Sequence, residues 1–193
     1  MFESDFLEAA SRVHPSVPFA FYIPLVIGLM TWGLWTGVTT FAWSALFVTL
    51  GWVTWQFMEY FIHRHFFHWE GSGPFTRRLH AIAHGYHHKY PDDGQRLVMP
   101  LGASIPLAIV IALLLWLVGV PKATLPFFCG IVSAYLWYDY LHYSVHHHKP
   151  RTAWGKALRA HHMAHHFAVP DHNYGISHRW IDRVLGTLKR RQS

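Results

Sequence analysis

The longest pattern in the sequence is a run of residues without charged side chains. Between Arg12 and Glu59, 46 successive residues contain no Asp, Glu, Lys or Arg. As one continuous helix this run would be about 69 Å long, at about 1.5 Å per residue, whereas the hydrocarbon core of a bilayer is about 30 Å thick. The run therefore predicts two membrane spans, near 18–35 and 38–61, joined by a turn at Trp35-Thr36-Gly37.

A second charge-poor block follows later in the chain. Residues 97–138 contain one charged side chain, Lys122, and the next charged residue is Asp139. This block predicts spans near 98–118 and 122–143. The sequence thus predicts an all-α integral membrane protein, with four transmembrane helices in two hairpins and residues 1–193 forming a single domain.

Two hairpins would place both chain ends on one side of the membrane, together with residues 63–96 and 144–193. Every Lys and Arg except Lys122 falls on that side, and cytoplasmic loops carry the excess of such residues. We therefore expect a multi-pass protein whose polar cap and termini are cytoplasmic. The formal charge of +6 suits anionic lipid headgroups of the bilayer. No pattern of a nucleic-acid module is present.

Histidine is the most unusual component of the composition. The chain has 18 His and one Cys, and 17 of the His lie from 63 to 178. Imidazole is the commonest metal ligand in proteins, and a set of nitrogen donors without thiolates suits Zn, Cu, Fe or Ni. The clusters are His63-Arg-His-Phe-Phe-His68, His80-Ala-Ile-Ala-His84-Gly-Tyr-His87-His88, His142-Tyr-Ser-Val-His146-His147-His148 and His161-His162-Met-Ala-His165-His166.

The spacing within these clusters selects the candidate ligands. Helix positions i, i+3 and i+4 share one face, so two triplets and one pair should each project their imidazoles in one direction. The first pair is five residues apart and needs a helix end or a local distortion. Ten candidates exceed the four ligands of a structural zinc and predict two five-coordinate metal ions. These candidates are His63, His68, His84, His87, His88, His142, His146, His162, His165 and His166.

Four other residues are candidates to support the ligands from outside the metal sites. Glu59 lies one turn before His63 and Asp139 one turn before His142, so either carboxylate could accept from a ligand's second ring nitrogen. A solvated acid at the membrane interface is the alternative for Glu59. The other two candidates are His80 and His161. No role is assigned to His65, His147, His148, His172 or His178.

The quoted segments together resemble a known family. They are Glu59-Tyr60 with HRHFFH, HAIAHGYHHKYPDDGQRLVMP, YDYLHYSVHH, and HHMAHHF followed by YGISHRWIDRVLGT. In this order they resemble the fatty acid hydroxylase superfamily, which is sterol desaturase-like, and within it most closely the membrane fatty acid 2-hydroxylases. The resemblance implies a di-iron, O₂-dependent monooxygenase that hydroxylates a long acyl chain next to its carbonyl. It implies the ten histidines above as ligands, and zinc can replace iron in purified protein.

The resemblance also raises the question of the electron source. Relatives often carry a fused haem domain, and no such segment is recognised here, so we expect a separate electron-donor protein. We expect catalysis from the di-metal centre itself, because an alkyl C–H bond offers no proton to an ordinary base. A desaturase, or a sterol or carotenoid oxidase, would use the same histidines. A metal transporter fits less well, since transport ligands lie near the bilayer midplane and these clusters begin at span ends.

Overall fold

The computed structural model describes residue 8 and residues 12–189. Throughout that part of the chain the regular structure is helical and no β-strand occurs, in agreement with the predicted fold class. In chain order the α-helices are α1 (Val17–Trp35), α2 (Phe41–Phe61), α3 (Pro74–His80), α4 (Tyr86–Lys89), α5 (Leu101–Leu117), α6 (Pro121–His147), α7 (Ala153–Phe167) and α8 (Trp180–Val184). Two π-helical segments, π1 (Ile62–Phe67) and π2 (Ala81–Gly85), directly follow α2 and α3.

Helices occur at all four positions where membrane spans were predicted. By length and composition, α1 is the one helix among the described residues that is long and apolar enough to cross a membrane. The next most apolar, α5, is shorter at 17 residues. One such helix does not establish a topology, so the four crossings and two hairpins remain a prediction. The chain ends, residues 1–7, 9–11 and 190–193, lie outside the described residues.

The chain divides into two compact units, of which the first comprises residues 1–55 and 98–137. In this unit α2 and α6 approach closely at two glycines. A Cβ at Gly51 would lie 2.3 Å from the carbonyl oxygen of Phe127, and one at Gly130 would lie 2.3 Å from that of Val48. Small residues permit such backbone contact between apolar helices, so these glycines set the crossing.

The second unit comprises residues 56–97 and 138–193 and contains all ten candidate ligands. Helix α7 is preceded by the N-cap Thr152, whose hydroxyl accepts a hydrogen bond from the Gly155 amide. Its buried side is formed by Leu158, Ala164 and three histidines. The short α8 is anchored by Ile181, which packs with Tyr60 and Tyr174.

Candidate metal centre

The structure brings the ten predicted ligands together in two groups of five. Within each group, one ring nitrogen of every histidine lies within 4.8 Å of the others. We name the groups site A and site B. Site A consists of His63, His68, His84, His88 and His165, and site B of His87, His142, His146, His162 and His166.

The spacing of the nitrogen atoms fits the coordination of a metal ion. In site A the Nε2 atom of His84 lies 3.0 Å from that of His63 and 2.9 Å from that of His88. In site B the Nε2 atom of His162 lies 2.8 Å from that of His146 and 3.1 Å from that of His166. Two nitrogens bound at right angles, each about 2.1 Å from one ion, would be about 3.0 Å apart. The convergent nitrogen atoms therefore suit a first-row metal.

A local distortion brings His63 and His68 to the same site. Both belong to the stretch around π1, and the amide of His68 donates to the carbonyl of His63, five residues earlier, at 3.3 Å. The i→i+5 bonding of a π-helix places residues five apart on one face. The need for a distortion was visible in the sequence, and π1 is the form that it takes.

The two histidine triplets serve both sites rather than one each. His84 and His88 join site A, whereas His87 between them joins site B. In α7 the division is reversed, because His165 joins site A while the other two members of its triplet join site B. Helical spacing placed each triplet on one face, but it did not show that the members of a triplet divide between two sites. Each triplet occupies a helix face that is shared between two neighbouring sites.

Burial keeps the site histidines in the neutral form that binds metal. Burial, followed by the neighbouring imidazoles, lowers the pKa of His68 to about 4 and that of His88 to about 3. Burial also lowers the pKa of His165 to about 4. Because the pKa values are below their ordinary value of about 6.5, the lone pairs stay available at neutral pH.

Two ligand candidates of site A are held from behind by backbone carbonyls. His63 donates from Nδ1 to the carbonyl of Tyr174 at 2.6 Å, and His165 donates from Nδ1 to that of His172 at 2.7 Å. A hydrogen bond on Nδ1 fixes the tautomer with a free Nε2 lone pair and orients the ring. The sequence did not reveal these partners, since a carbonyl oxygen is present in every residue.

The carboxylate of Glu59 supports the unit in a different way from the one predicted. Its Oε1 accepts from the amides of Ile176 and Ser177, at 2.6 and 2.7 Å, and its Oε2 accepts from the Ser177 hydroxyl. The prediction that Glu59 holds a ligand's ring nitrogen was wrong, because the carbonyl of Tyr174 already occupies Nδ1 of His63.

The other three residues predicted to support the ligands also lie outside sites A and B; they are His161, His80 and Asp139. His161 donates from Nε2 to Oδ2 of Asp182 at 3.0 Å, and the ring of His80 packs beside Gly85. Asp139 is buried, but no hydrogen bond joins it to Nδ1 of His142 within residues 12–189. The predicted support of His142 by Asp139 is therefore not present in this structure.

The histidines without an assigned role make other contacts. His65 stacks on Phe61 and His147 on Tyr143. The carbonyl of His148 accepts from Arg159. The ring of His178 is hydrogen-bonded to the side-chain oxygen of Gln56 at 2.8 Å, and His172 supplies the carbonyl described above. None of these five belongs to either site.

Comparison with known proteins identifies the family of this chain. Residues 48–187 match the sequence profile of the family described as fatty acid hydroxylase. The chain belongs to the fatty acid hydroxylase family. This confirms the resemblance that the histidine motifs indicated. It also confirms the class of oxidoreductase at the level of the family, because its named members are hydroxylases.

Several members of the fatty acid hydroxylase family are similar over most of this chain. A dihydroceramide fatty acyl 2-hydroxylase of Arabidopsis thaliana is 37% identical over 97% of this chain and 78% of its own length. A fatty acid 2-hydroxylase of Mus musculus is 34% identical over 97% of this chain, which spans 56% of the mouse protein. A solved structure, described as full-length scs7p with only the hydroxylase domain visible, superposes with a TM-score of 0.91 at 26% identity. It covers 98% of this chain and 72% of that one.

Proposed function

We propose that this chain is a di-iron, O₂-dependent hydroxylase that adds a hydroxyl group to a long acyl chain at the carbon next to the carbonyl. The observation that carries the proposal is the pair of five-imidazole sites, with nitrogen atoms spaced for metal coordination. The balanced reaction consumes the C–H compound, O₂, two electrons and two protons, and forms the alcohol and water.

Replacing hydrogen by hydroxyl is a two-electron oxidation of the carbon, which acid or base catalysis alone cannot perform. Bound iron would supply the O₂ chemistry for this oxidation. The residues of this chain would hold and orient that iron. Sites A and B provide ten neutral imidazoles, and the carbonyls of His172 and Tyr174 fix two of the rings.

The substrate class follows from the named relatives. One acts on the fatty acyl group of dihydroceramide and another on fatty acids. For this chain we propose a long acyl group, carried either by a free fatty acid or by a sphingolipid or other lipid. Membrane lipids reach such an enzyme in the bilayer.

We propose that α1, α2, α5 and α6 span the bilayer, with the histidine sites and chain ends at the cytoplasmic side. Large apolar side chains on α1 and α5 support this arrangement, because Ile27 is 60% exposed and Leu114 is 60% exposed. Exposed apolar surface of this kind marks a contact with lipid or with another protein.

We also propose that electrons come from a separate donor protein. Several cations that are exposed in the second unit could steer an acidic donor, with association that weakens as salt is raised. Lipid headgroups are the competing partners of the same cations. These residues are Arg77, Arg78, Lys89, Arg151 and Lys156.

The test is reconstitution of the iron-loaded protein in lipid vesicles with a reductase system and isotope-labelled O₂. Mass spectrometry of the acyl chains should find one labelled oxygen atom next to the carbonyl, and His165→Ala should form none. A double bond without added oxygen would identify a desaturase instead. Turnover without O₂ would contradict the di-iron mechanism.

A further inference from the structure

Residues 172–177 support site A with two backbone carbonyls. The carbonyl of His172 accepts from His165, and that of Tyr174 accepts from His63, and both donors belong to site A. Site B has no corresponding support from the described residues. The Nδ1 atoms of four of its histidines are buried and meet no acceptor there: His87, His142, His162 and His166. The segment therefore acts on one site of the pair.

A buried carboxylate, Asp182, fixes the conformation of this segment. Its Oδ1 accepts from the Tyr174 amide and from the Thr187 hydroxyl, both at 2.8 Å. Its Oδ2 accepts from the Gly175 amide at 2.8 Å and from His161 at 3.0 Å. Burial alone would raise the pKa of Asp182, but these hydrogen bonds outweigh it and lower the pKa. Asp182 is therefore a charged acceptor with four donors.

One planar peptide group connects Asp182 to a ligand of site A. The amide of Gly175 and the carbonyl of Tyr174 are the two ends of the same peptide unit, which is trans and nearly planar. Asp182 holds the N–H end, and His63 is hydrogen-bonded to the C=O end. A rotation of this plane would therefore break both hydrogen bonds at once.

The surroundings allow this peptide little freedom to rotate. A Cβ at Gly175 would lie 2.8 Å from Oδ2 of Asp182, so the carboxylate packs directly on the backbone. On the other side of Asp182, the Thr187 hydroxyl donates its hydrogen to the carboxylate. Its oxygen therefore accepts a hydrogen bond from the Tyr60 hydroxyl at 2.9 Å. Tyr60 in turn accepts from Arg64 at 2.9 Å.

We propose that Asp182 is a positioning residue for the metal of site A, acting through the Tyr174–Gly175 peptide on the ring of His63. This inference rests on the proposed metal centre and adds a residue that supports site A but not site B. Loss of a direct outer partner of a metal-binding histidine typically costs 10–100-fold in metal affinity. Because Asp182 acts one hydrogen bond further out, we expect about a tenfold loss at site A and no change at site B.

The test measures Zn²⁺ affinity at each site separately, by competition with a chelator in detergent. His142→Gln damages site B and leaves site A to be measured, and His84→Gln does the reverse. Asp182→Asn, which keeps the size of the side chain, is then added to each background. Asp92→Asn is the control, because Asp92 is an exposed acid in the same unit that contacts neither site.

The expected result is a weaker site A with an unchanged site B, and no effect of Asp92→Asn at either site. An equal loss at both sites would show that Asp182 acts only on general stability and would overturn the inference. No loss at either site would overturn it as well. Absence of Zn²⁺ binding in both single-site backgrounds and in the unaltered chain would instead overturn the metal centre itself.

A second pair of variants covers the case in which Asp182→Asn does not fold. Thr187→Val removes the hydroxyl that donates to Asp182 and keeps the shape of the side chain. Thr187→Ser retains the hydroxyl. Weakening of site A by Val and its restoration by Ser support the inference, and identical affinities for the two variants contradict it.

Discussion

The imidazole rings of His88 and His166 stack with their centroids 4.2 Å apart and their planes 23° apart. His88 belongs to site A and His166 to site B. The two sites are therefore in direct side-chain contact. We expect them to bind two neighbouring metal ions, which together form one dinuclear centre.

Metal analysis of the purified protein should find two ions in each chain. His84→Gln and His142→Gln should each reduce the content to about one, because each removes a ligand from one site only. His172→Gln is the control and should retain both ions, since that side chain belongs to neither site. Zinc in place of iron agrees with the prediction, because nitrogen sites bind Zn²⁺ more tightly than Fe²⁺. One ion or none in the unaltered chain would contradict it.

The side chains of His165 and His172 should differ greatly in their importance for activity. His165→Ala removes a ligand candidate of site A, and we expect product formation to fall by more than about 100-fold, beyond the usual loss of an outer partner. His172→Ala keeps the backbone carbonyl that His165 uses and should retain most of the activity. The measurement is acyl hydroxylation in vesicles. Similar losses in the two variants would show that helix spacing does not identify the ligands.

The metal-free protein should be sensitive to acid. The pKa values of His68 and His165 are lowered to about 4 in the folded state, against about 6.5 in the unfolded chain. Between these values the unfolded chain binds more protons, so the free energy of unfolding falls as the pH falls. This contribution is complete above about pH 6.5 and is lost towards about pH 4. The Tm of metal-free protein should drop between these limits, and His68→Gln should reduce the drop.

The hydrogen bonds of Glu59 should contribute strongly to stability. Glu59→Ala leaves the buried amides of Ile176 and Ser177 without their acceptor. At about 1–3 kcal/mol for each unsatisfied group, we expect the free energy of unfolding to fall by about 2–6 kcal/mol. Ser177→Ala removes one of the three hydrogen bonds and should cost about 1 kcal/mol. Denaturant unfolding in detergent measures both.

A control for the Glu59 variants is an exposed acid in the same unit. Glu70 is exposed, and Glu70→Ala should change the free energy of unfolding by less than about 0.5 kcal/mol. If Glu59→Ala were no more destabilising than Glu70→Ala, the role assigned to the Glu59 carboxylate would be wrong.

The sequence by itself determined the helical elements and the candidate ligands. Charge-free runs predicted helices near 18–35, 38–61, 98–118 and 122–143, and the observed helices lie at these positions. Helical spacing selected eight histidines, and the pair His63 and His68 was added on condition of a local distortion; these are the ten that the structure gathers. Both conclusions depend on local properties, the absence of charge and the spacing along a helix, which are visible in a single sequence.

The tertiary structure decided how these histidines are divided and held. Each triplet is shared between two sites because the partners that complete a site come from elsewhere in the chain, as His63 and His84 illustrate. The supports of His63 and His165 are carbonyl oxygens, which every residue has and no residue type identifies. Likewise, nothing in the sequence distinguishes Asp182 from an ordinary acidic residue of a short helix. Only the folding of distant segments against one another brings it to the peptide that holds His63.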